Sequence, residues 1–234
     1  MTNQKPLCVI VGAGPGNGAA FGRRFAAAGY RVIFMARDAA RIQAMARQIG
    51  GAEAIAVDVT DPASITTAFA QATKSGHPDV LIYNAGAGKF GNVDQLGAAD
   101  FESAWRTNAL GCFLAVKEAL PAMRRRGSGS IVVIGATASI KGSANFAAFA
   151  SAKAALRSLA QSLARQLGPE NIHVSHVVID GVIDGEGARK MLGERPDDFF
   201  LKADDIAASV FSLAVQPRSA WTFELDLRPF GEKW

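Results

Sequence analysis

Cysteine is scarce. The 234-residue chain has two, Cys8 and Cys112, both in apolar surroundings and far apart in sequence. One bridge at most can form, which excludes a disulfide framework, and neither thiol has a partner at metal-ligand spacing. Two buried thiols in a reducing compartment are expected, so the chain reads as cytoplasmic, with no metal site. Long apolar runs are missing too. The N-terminal run Leu7–Val11 ends at a glycine cluster and is too short for a signal-peptide core or a membrane span. The net charge of +4 is spread along the chain, and its densest run, Arg124-Arg125-Arg126, closes an expected helix. Without a basic stripe interleaved with aromatics, nucleic acid is not an expected partner. No linker, low-complexity stretch or long-period repeat divides the sequence.

What the chain does have is apolar residues at 49%, enough for a full buried core. Short Val- and Ile-rich runs alternate with longer segments of helical spacing. Strands are predicted at 7–11, 31–35, 54–57, 79–83, 130–134, 173–179 and 223–227. Continuously apolar strands suit a parallel sheet buried on both faces. Helices are predicted at 17–28, 39–49, 62–75, 98–126 and 146–167. Asp61-Pro62 reads as a cap with a first-turn proline, and Gly168-Pro169 as a stop. This order predicts a single-domain, Rossmann-like, doubly wound α/β sheet over residues 1–234, with about seven mostly parallel strands and helices on both faces.

The first strand runs directly into "VGAGPGNGAAFG". Gly12, Gly14, Gly16 and Gly18 keep side chains off the backbone. Their amides, with the positive end of the helix at Asn17–Ala20, suit a pyrophosphate, and Pro15, which has no amide hydrogen, shapes the same loop. The motif lies after a strand and before a helix, which is the context it needs.

The spacing GxxxGxG across Gly12, Gly16 and Gly18 resembles the short-chain dehydrogenase/reductase family. So do "YNAG" (83–86), "VDVTD" (57–61), Asn108 in "WRTNALGCF" and Lys153 in "FASAK". The resemblance covers nearly the whole chain. It implies that Asp58 and Val59 lie around an adenine, that Asn84, Ala85 and Gly86 lie along the dinucleotide, and that Asn108 supports Lys153 and a proton-relay water. It further implies a homodimer or homotetramer acting on a small molecule. Segment 186–202 is expected to flank the substrate cleft, and 219–234 to form a last strand and tail.

The second strand ends in Ala36-Arg37, where an NAD-binding fold usually carries a carboxylate for the ribose 2′-hydroxyl. A guanidinium there pairs with a 2′-phosphate, so NADP(H) is expected over NAD(H). Asp38 reads as a helix cap.

The catalytic half departs from the family. There a serine holds the substrate carbonyl, and a tyrosine thirteen residues later moves the proton. A lysine four residues beyond lowers the tyrosine pKa and bonds the nicotinamide ribose. Here Ala136 takes the serine position and Phe149 the tyrosine position; Asn108 and Lys153 remain. A phenyl ring cannot donate a proton. The family's Pro-Gly and its carboxamide-anchoring threonine are replaced by Asp180-Gly181 and Gly185, which leaves backbone near Ile183 for that anchor. Asp180 and Asp184, just past the sixth strand, are the foremost substitute acids, or partners for Lys153. Thr137, flanking with Ser139, and Lys89 are weaker candidates. His173 and His176 read as core histidines. Three readings follow, in this order: an oxidoreductase with an atypical acid or none, a catalytically silent dinucleotide-binding sensor or partner protein, and a scaffold that no longer binds nucleotide, against which the glycine loop, Arg37 and Asp58 argue. In the tail, Trp221, Phe223, Phe230 and Trp234 are expected to pack against the subunit rather than face water.

Overall fold

The structure is a computed structural model and describes residues 5–232. Strands β1 (Leu7–Val11), β2 (Arg31–Ala36), β3 (Glu53–Ala56), β4 (Val80–Tyr83), β5 (Gly129–Ile134) and β6 (Ile172–Ile179) alternate with helices α1 (Asn17–Ala27), α2 (Ala39–Arg47), α3 (Pro62–Ser75), α4 (Ala98–Trp105), α5 (Gly111–Arg126) and α6 (Ala147–Leu167). Beyond β6 come β7 (Val182–Ile183), α7 (Glu186–Leu192), β8 (Phe200–Leu201), α8 (Ala203–Ala214) and β9 (Glu224–Leu227). The seven-stranded sheet has the order β3-β2-β1-β4-β5-β6-β9, and every pairing in it is parallel. The doubly wound expectation is met, with strand ends within one residue of those read from the sequence.

Apolar side chains leave both sheet faces. Ile65, Phe69, Val116, Met123 and Leu156 from α3, α5 and α6 pack on one face. Phe21, Phe25, Ile42, Ile206 and Val210 from α1, α2 and α8 pack on the other. Strand pattern and helix period thus cooperate to bury β1, β4 and β6 completely. Local signals set the ends. The Asp61 carboxylate accepts from the Ala63 amide at 3.0 Å, and Pro62 opens α3. Gly127, at φ 71°, ends α5 in the left-handed conformation.

Two differences from the sequence reading matter. Residues 98–126 are helical throughout, but Arg106–Leu110 form a wider π turn between α4 and α5. Tyr83 accounts for the geometry there. Its buried hydroxyl donates to the Thr107 carbonyl at 2.5 Å, and Gly111 leaves the room that the phenol fills. The second is α8, whose Ile206, Ala207, Val210 and Leu213 carry the period of a buried helical face and were not among the predicted helices.

The tail is only partly as expected. Trp221 stacks on His173 with centroids 4.8 Å apart and planes 6° apart, and Phe223 packs against the core. Phe230 instead stands 96% exposed. Pro229 lies against Gly181, while Phe230 stands at the rim of an open pocket that it lines with Phe200, Leu201 and Ile206. Trp234 lies outside the described residues.

One partly buried polar cluster pins β9 to the rest. Arg157 on α6 donates twice to Glu224, at 2.6 and 2.7 Å, and Glu224 also meets His176 Nδ1 at 3.0 Å. The Arg157 guanidinium, with help from His176, holds the Glu224 carboxyl below its ordinary range. A carboxyl lowered in the folded state stabilises above its unfolded pKa of about 4.3 and loses that contribution as pH falls through the folded value. Glu224→Ala is expected to cost about 1–3 kcal/mol at pH 7, because it strands a buried imidazole and a guanidinium. Denaturant unfolding of both proteins from pH 7 to pH 3 checks it; the difference should shrink below about pH 4.

Among the described residues no helix is long and apolar enough to cross a membrane.

Candidate functional site

The site lies where the chain crosses from β3 back to β4, so that β1 and β4 are neighbours whose following loops diverge. A crevice opens at the carboxyl ends of the strands at such a switch point. Here it is a cavity of about 400 Å³. Gly12 from the β1 end, Ala36 and Arg37 from β2, Asp58 and Val59 after β3, and Asn84, Ala85 and Gly86 after β4 all line it.

The glycines divide by what surrounds them. Gly12 has φ +85°, and a Cβ there would overlap the backbone nitrogen and Cα of Ala85. At Gly18 a Cβ would come within 2.7 Å of the Ala13 Cα. These two close the turn and let α1 approach β1. At Gly14 and Gly16 a Cβ meets nothing within 4 Å, so the loop presents bare backbone to open space there. The amides of α1 begin immediately after, at Asn17. Asn17 is 93% buried and its Oδ1 has no partner. Asn84 Nδ2 donates to the Gly12 carbonyl at 2.8 Å, which ties the β4 end to the glycine turn.

At the β2 end, Arg37 is exposed within the cavity wall. Asp38 is capped onto α2 as expected: its carboxylate accepts from the Arg41 amide at 3.0 Å and pairs with the Arg41 guanidinium at 3.1 Å. Asp58 accepts from both the amide and the hydroxyl of Thr60, at 2.9 and 2.7 Å. Those bonds, the amide's first, hold its carboxyl below the usual range.

Lys153 and Asn108 meet below this crevice. A side chain at Gly86 would come within 3.3 Å of Lys153 Nζ and 3.4 Å of Asn108 Oδ1, so both heads converge on that glycine. The π turn carries Asn108 inward. Its Nδ2 donates to the carbonyls of Ala87 and Ala104, at 2.6 and 2.8 Å, and its buried Oδ1 is left without a partner. π turns recur at functional sites because they turn one side chain out of helical register. Lys153 Nζ donates to the Ile134 carbonyl at 3.0 Å, and burial pulls the amine down to about 8.

A buried lysine of this kind has a pH signature. Between about pH 8 and its unfolded pKa of about 10.4, the unfolded chain holds a proton that the native lysine has released. Stability contributed at this site therefore rises with pH in that window. Burial raises Cys8 and Cys112, whose contribution runs the other way, so the comparison must be with Lys153→Met. The wild type is expected to gain about 1–3 kcal/mol on that variant from pH 8 to pH 10.5, read by denaturant unfolding.

The substitute acids are not brought together with Lys153. Asp180 accepts from Thr137 Oγ1 at 2.5 Å and faces Arg228 at 3.4 Å. Asp184 accepts from Arg189 at 2.6 Å and Lys202 at 2.7 Å, and those cations, Arg189 foremost, hold its carboxyl far below the usual range. Lys89 is exposed and paired with Asp100 at 3.2 Å. Ile183 lies in the small β7–β8 sheet, paired with Leu201. Ser139 Oγ accepts from the Ala136 amide at 3.1 Å. His176 is wholly buried with Glu224, as a core histidine. Tyr83 was not singled out beyond its motif. Its signal was a phenol in a strand otherwise apolar, which needs a buried acceptor.

Among the described residues no cluster of three or more His, Cys, Asp or Glu could hold a metal ion.

Fold and crevice together define an α/β protein of the dinucleotide-binding kind. Residues 6–192 match the short chain dehydrogenase family, and the chain belongs to that family of oxidoreductases, whose fold binds a nicotinamide cofactor. It is 34% identical over 172 residues to the inactive 2-(S)-hydroxypropyl-CoM dehydrogenase 2 of Xanthobacter autotrophicus, covering 73% of this chain and 75% of that one. It superposes on a short-chain dehydrogenase from Rhodopseudomonas palustris with a TM-score of 0.83 and 31% identity, covering 97% and 100% of the two chains. A metagenomic short-chain oxidoreductase solved with NADP gives a TM-score of 0.84 at 29% identity, with 97% and 98% covered.

Proposed function

We propose that this protein is an NADP(H)-dependent oxidoreductase whose active site lacks the usual tyrosine acid, acting on a small-molecule substrate. The observation that carries the reading is Arg37 in the wall of the same cavity as Gly12, Asp58 and Asn84, with Ala36 where a carboxylate would stand. The nearby Asp38 carboxylate is committed to Arg41. A similar short-chain oxidoreductase has been solved with NADP, which supports the same choice.

The residues present fit the dinucleotide. Bare backbone at Gly14 and Gly16, with Pro15, Asn17 and Gly18, suits the pyrophosphate. Arg37 would pair with the 2′-phosphate. Asp58 and Val59 would flank the adenine, and Asn84, Ala85 and Gly86 would border the ribose. Lys153, converging with Asn108 on Gly86, would hold the nicotinamide ribose hydroxyls. When bound, the nicotinamide supplies or accepts hydride. Residues 186–202 would flank the substrate, clipped down by Asp184 through Arg189 and Lys202. Assembly as a homodimer or homotetramer is supported by Phe101, Trp105 and Phe113, large rings left exposed along α4 and α5.

A silent dinucleotide-binding protein is the second reading. Ala136 and Phe149 together favour it, as does a relative described as inactive. Parallel fluorescence titration with NADPH and NADH is the test of the cofactor assignment. NADPH is expected to bind about tenfold or more tightly; equal affinities would remove Arg37 from the site. NADPH oxidation with any substrate then separates the two readings.

A further inference from the structure

Phe149 is one of three phenylalanines in mutual contact. Phe90 lies 5.6 Å from Phe149 and 4.9 Å from Phe146, centroid to centroid, and Phe146 lies 6.3 Å from Phe149. A backbone bridge between Gly91 and Phe146 holds the two segments together. Gly88 makes room for the Phe149 ring, since a Cβ there would approach the ring to 2.6 Å. The cluster is therefore built against the loop that follows Gly86, rather than tolerated. Phe90 nonetheless remains 61% exposed. An aromatic edge open to water, next to the loop that follows Gly86, is a recognition surface for a planar apolar group.

Beneath the ring lies the Lys153 amine, 5.9 Å from the Phe149 centroid. The Phe149 ring itself supplies no proton. Asp180 is bonded to Thr137 and faces Arg228, and Asp184 is bonded to Arg189 and Lys202, so neither pairs with Lys153. The site thus combines an aromatic wall and a buried cation, with no hydroxyl acid at the tyrosine position. An aliphatic ketone is a poor substrate there, because its reduction leaves an alkoxide that needs a proton. An iminium needs none, but its charge is repelled by the lysine. A quinone fits both halves: its ring is flat and apolar, and hydride converts it to an aromatic oxyanion, which the ammonium form of Lys153 stabilises.

We infer that this site reduces quinones, bound edge-on or face-on to Phe90 and Phe149, with Lys153 stabilising the oxyanion instead of a tyrosine protonating it. The inference rests on the NADP(H) oxidoreductase reading. The quinone gains one hydride, which is two electrons and a proton, and becomes the hydroquinone monoanion. The reduced dinucleotide is correspondingly oxidised. The second proton comes from water after release.

The experiment uses the whole protein with NADPH. Three acceptors are compared at matched concentration: 1,4-naphthoquinone, an N-alkyl cyclic iminium and cyclohexanone. Naphthoquinone is expected to be reduced about a hundredfold faster than cyclohexanone, the span that a missing general acid accounts for. Phe90→Ala, a surface change that leaves the fold intact, is expected to raise the quinone KM about tenfold with kcat within about twofold. Naphthoquinone quenching of bound-NADP⁺ protein gives the same affinity loss without turnover. A preference for the iminium or the ketone overturns the inference, as does quinone reduction indifferent to Phe90→Ala. NADPH binding without quinone turnover overturns it alone; no NADPH binding overturns the oxidoreductase reading as well.

Discussion

Gly12→Ala is expected to lose most of its native stability, while Gly16→Ala folds like the wild type and loses its grip on the dinucleotide. Both substitutions add one methyl group to the same loop. At Gly12 the methyl would overlap the Ala85 backbone, at a left-handed φ of +85°. The backbone at the β4 end cannot retreat, because Asn84 is bonded to the Gly12 carbonyl and the Asn84 amide to Val11. Left-handed strain alone costs about 1–2 kcal/mol, and overpacking adds about 1–3 kcal/mol. At Gly16 the methyl enters open space, so stability should move by less than about 1 kcal/mol. In the proposed function that open space receives the pyrophosphate, so NADPH affinity should fall about tenfold or more. Thermal melts of the two variants, with and without NADPH, check both halves. A Gly16→Ala protein that binds NADPH normally would show that the bare loop faces nothing.

Arg37→Asp is expected to reverse the nicotinamide preference. The wild-type guanidinium stands exposed in the cavity wall, and an aspartate there would repel a 2′-phosphate while accepting from a 2′-hydroxyl. Charge-assisted hydrogen bonds of this kind are worth about 1.5–3 kcal/mol, so NADPH affinity should drop about ten- to a hundredfold. NADH affinity should rise. Because the site is exposed, the NADPH loss should shrink as salt is raised. Isothermal titration at two ionic strengths measures it. Unchanged NADPH binding would assign the phosphate to Arg41 instead, which lines the same cavity.

Much of this was legible in order and spacing. Strands buried on both faces must be apolar throughout, and parallel strands must be separated by helices, so the alternation of short Val/Ile runs with helical periods implied the sheet. The glycine run, its place between β1 and α1, and Arg37 after β2 point to the crevice from sequence alone. Asp38 and Asp61 were read as caps and are caps. Where local signals were weak, the sequence reading failed. The π turn around Asn108 does not show in helix period, because it depends on Tyr83 reaching Thr107 from another strand. Phe230 was expected to be covered, but whether a ring is covered depends on what the rest of the chain puts in front of it.

The substitute acids show the division best. The sequence by itself determined which groups are missing: Ala136 has no hydroxyl and Phe149 no proton, whatever surrounds them. It also determined the βα order, because side-chain periodicity is a local property that each segment carries alone. Only the tertiary structure decided what the remaining charges do. Asp184 meets Arg189 five residues on and Lys202 eighteen on. Asp180 meets Thr137 from another strand's end and Arg228 from the tail. Lys153 meets neither, but a backbone carbonyl beneath a phenylalanine ring. Ionisation depends on neighbours within a few ångströms, and in a doubly wound sheet those neighbours come from segments far apart in the chain.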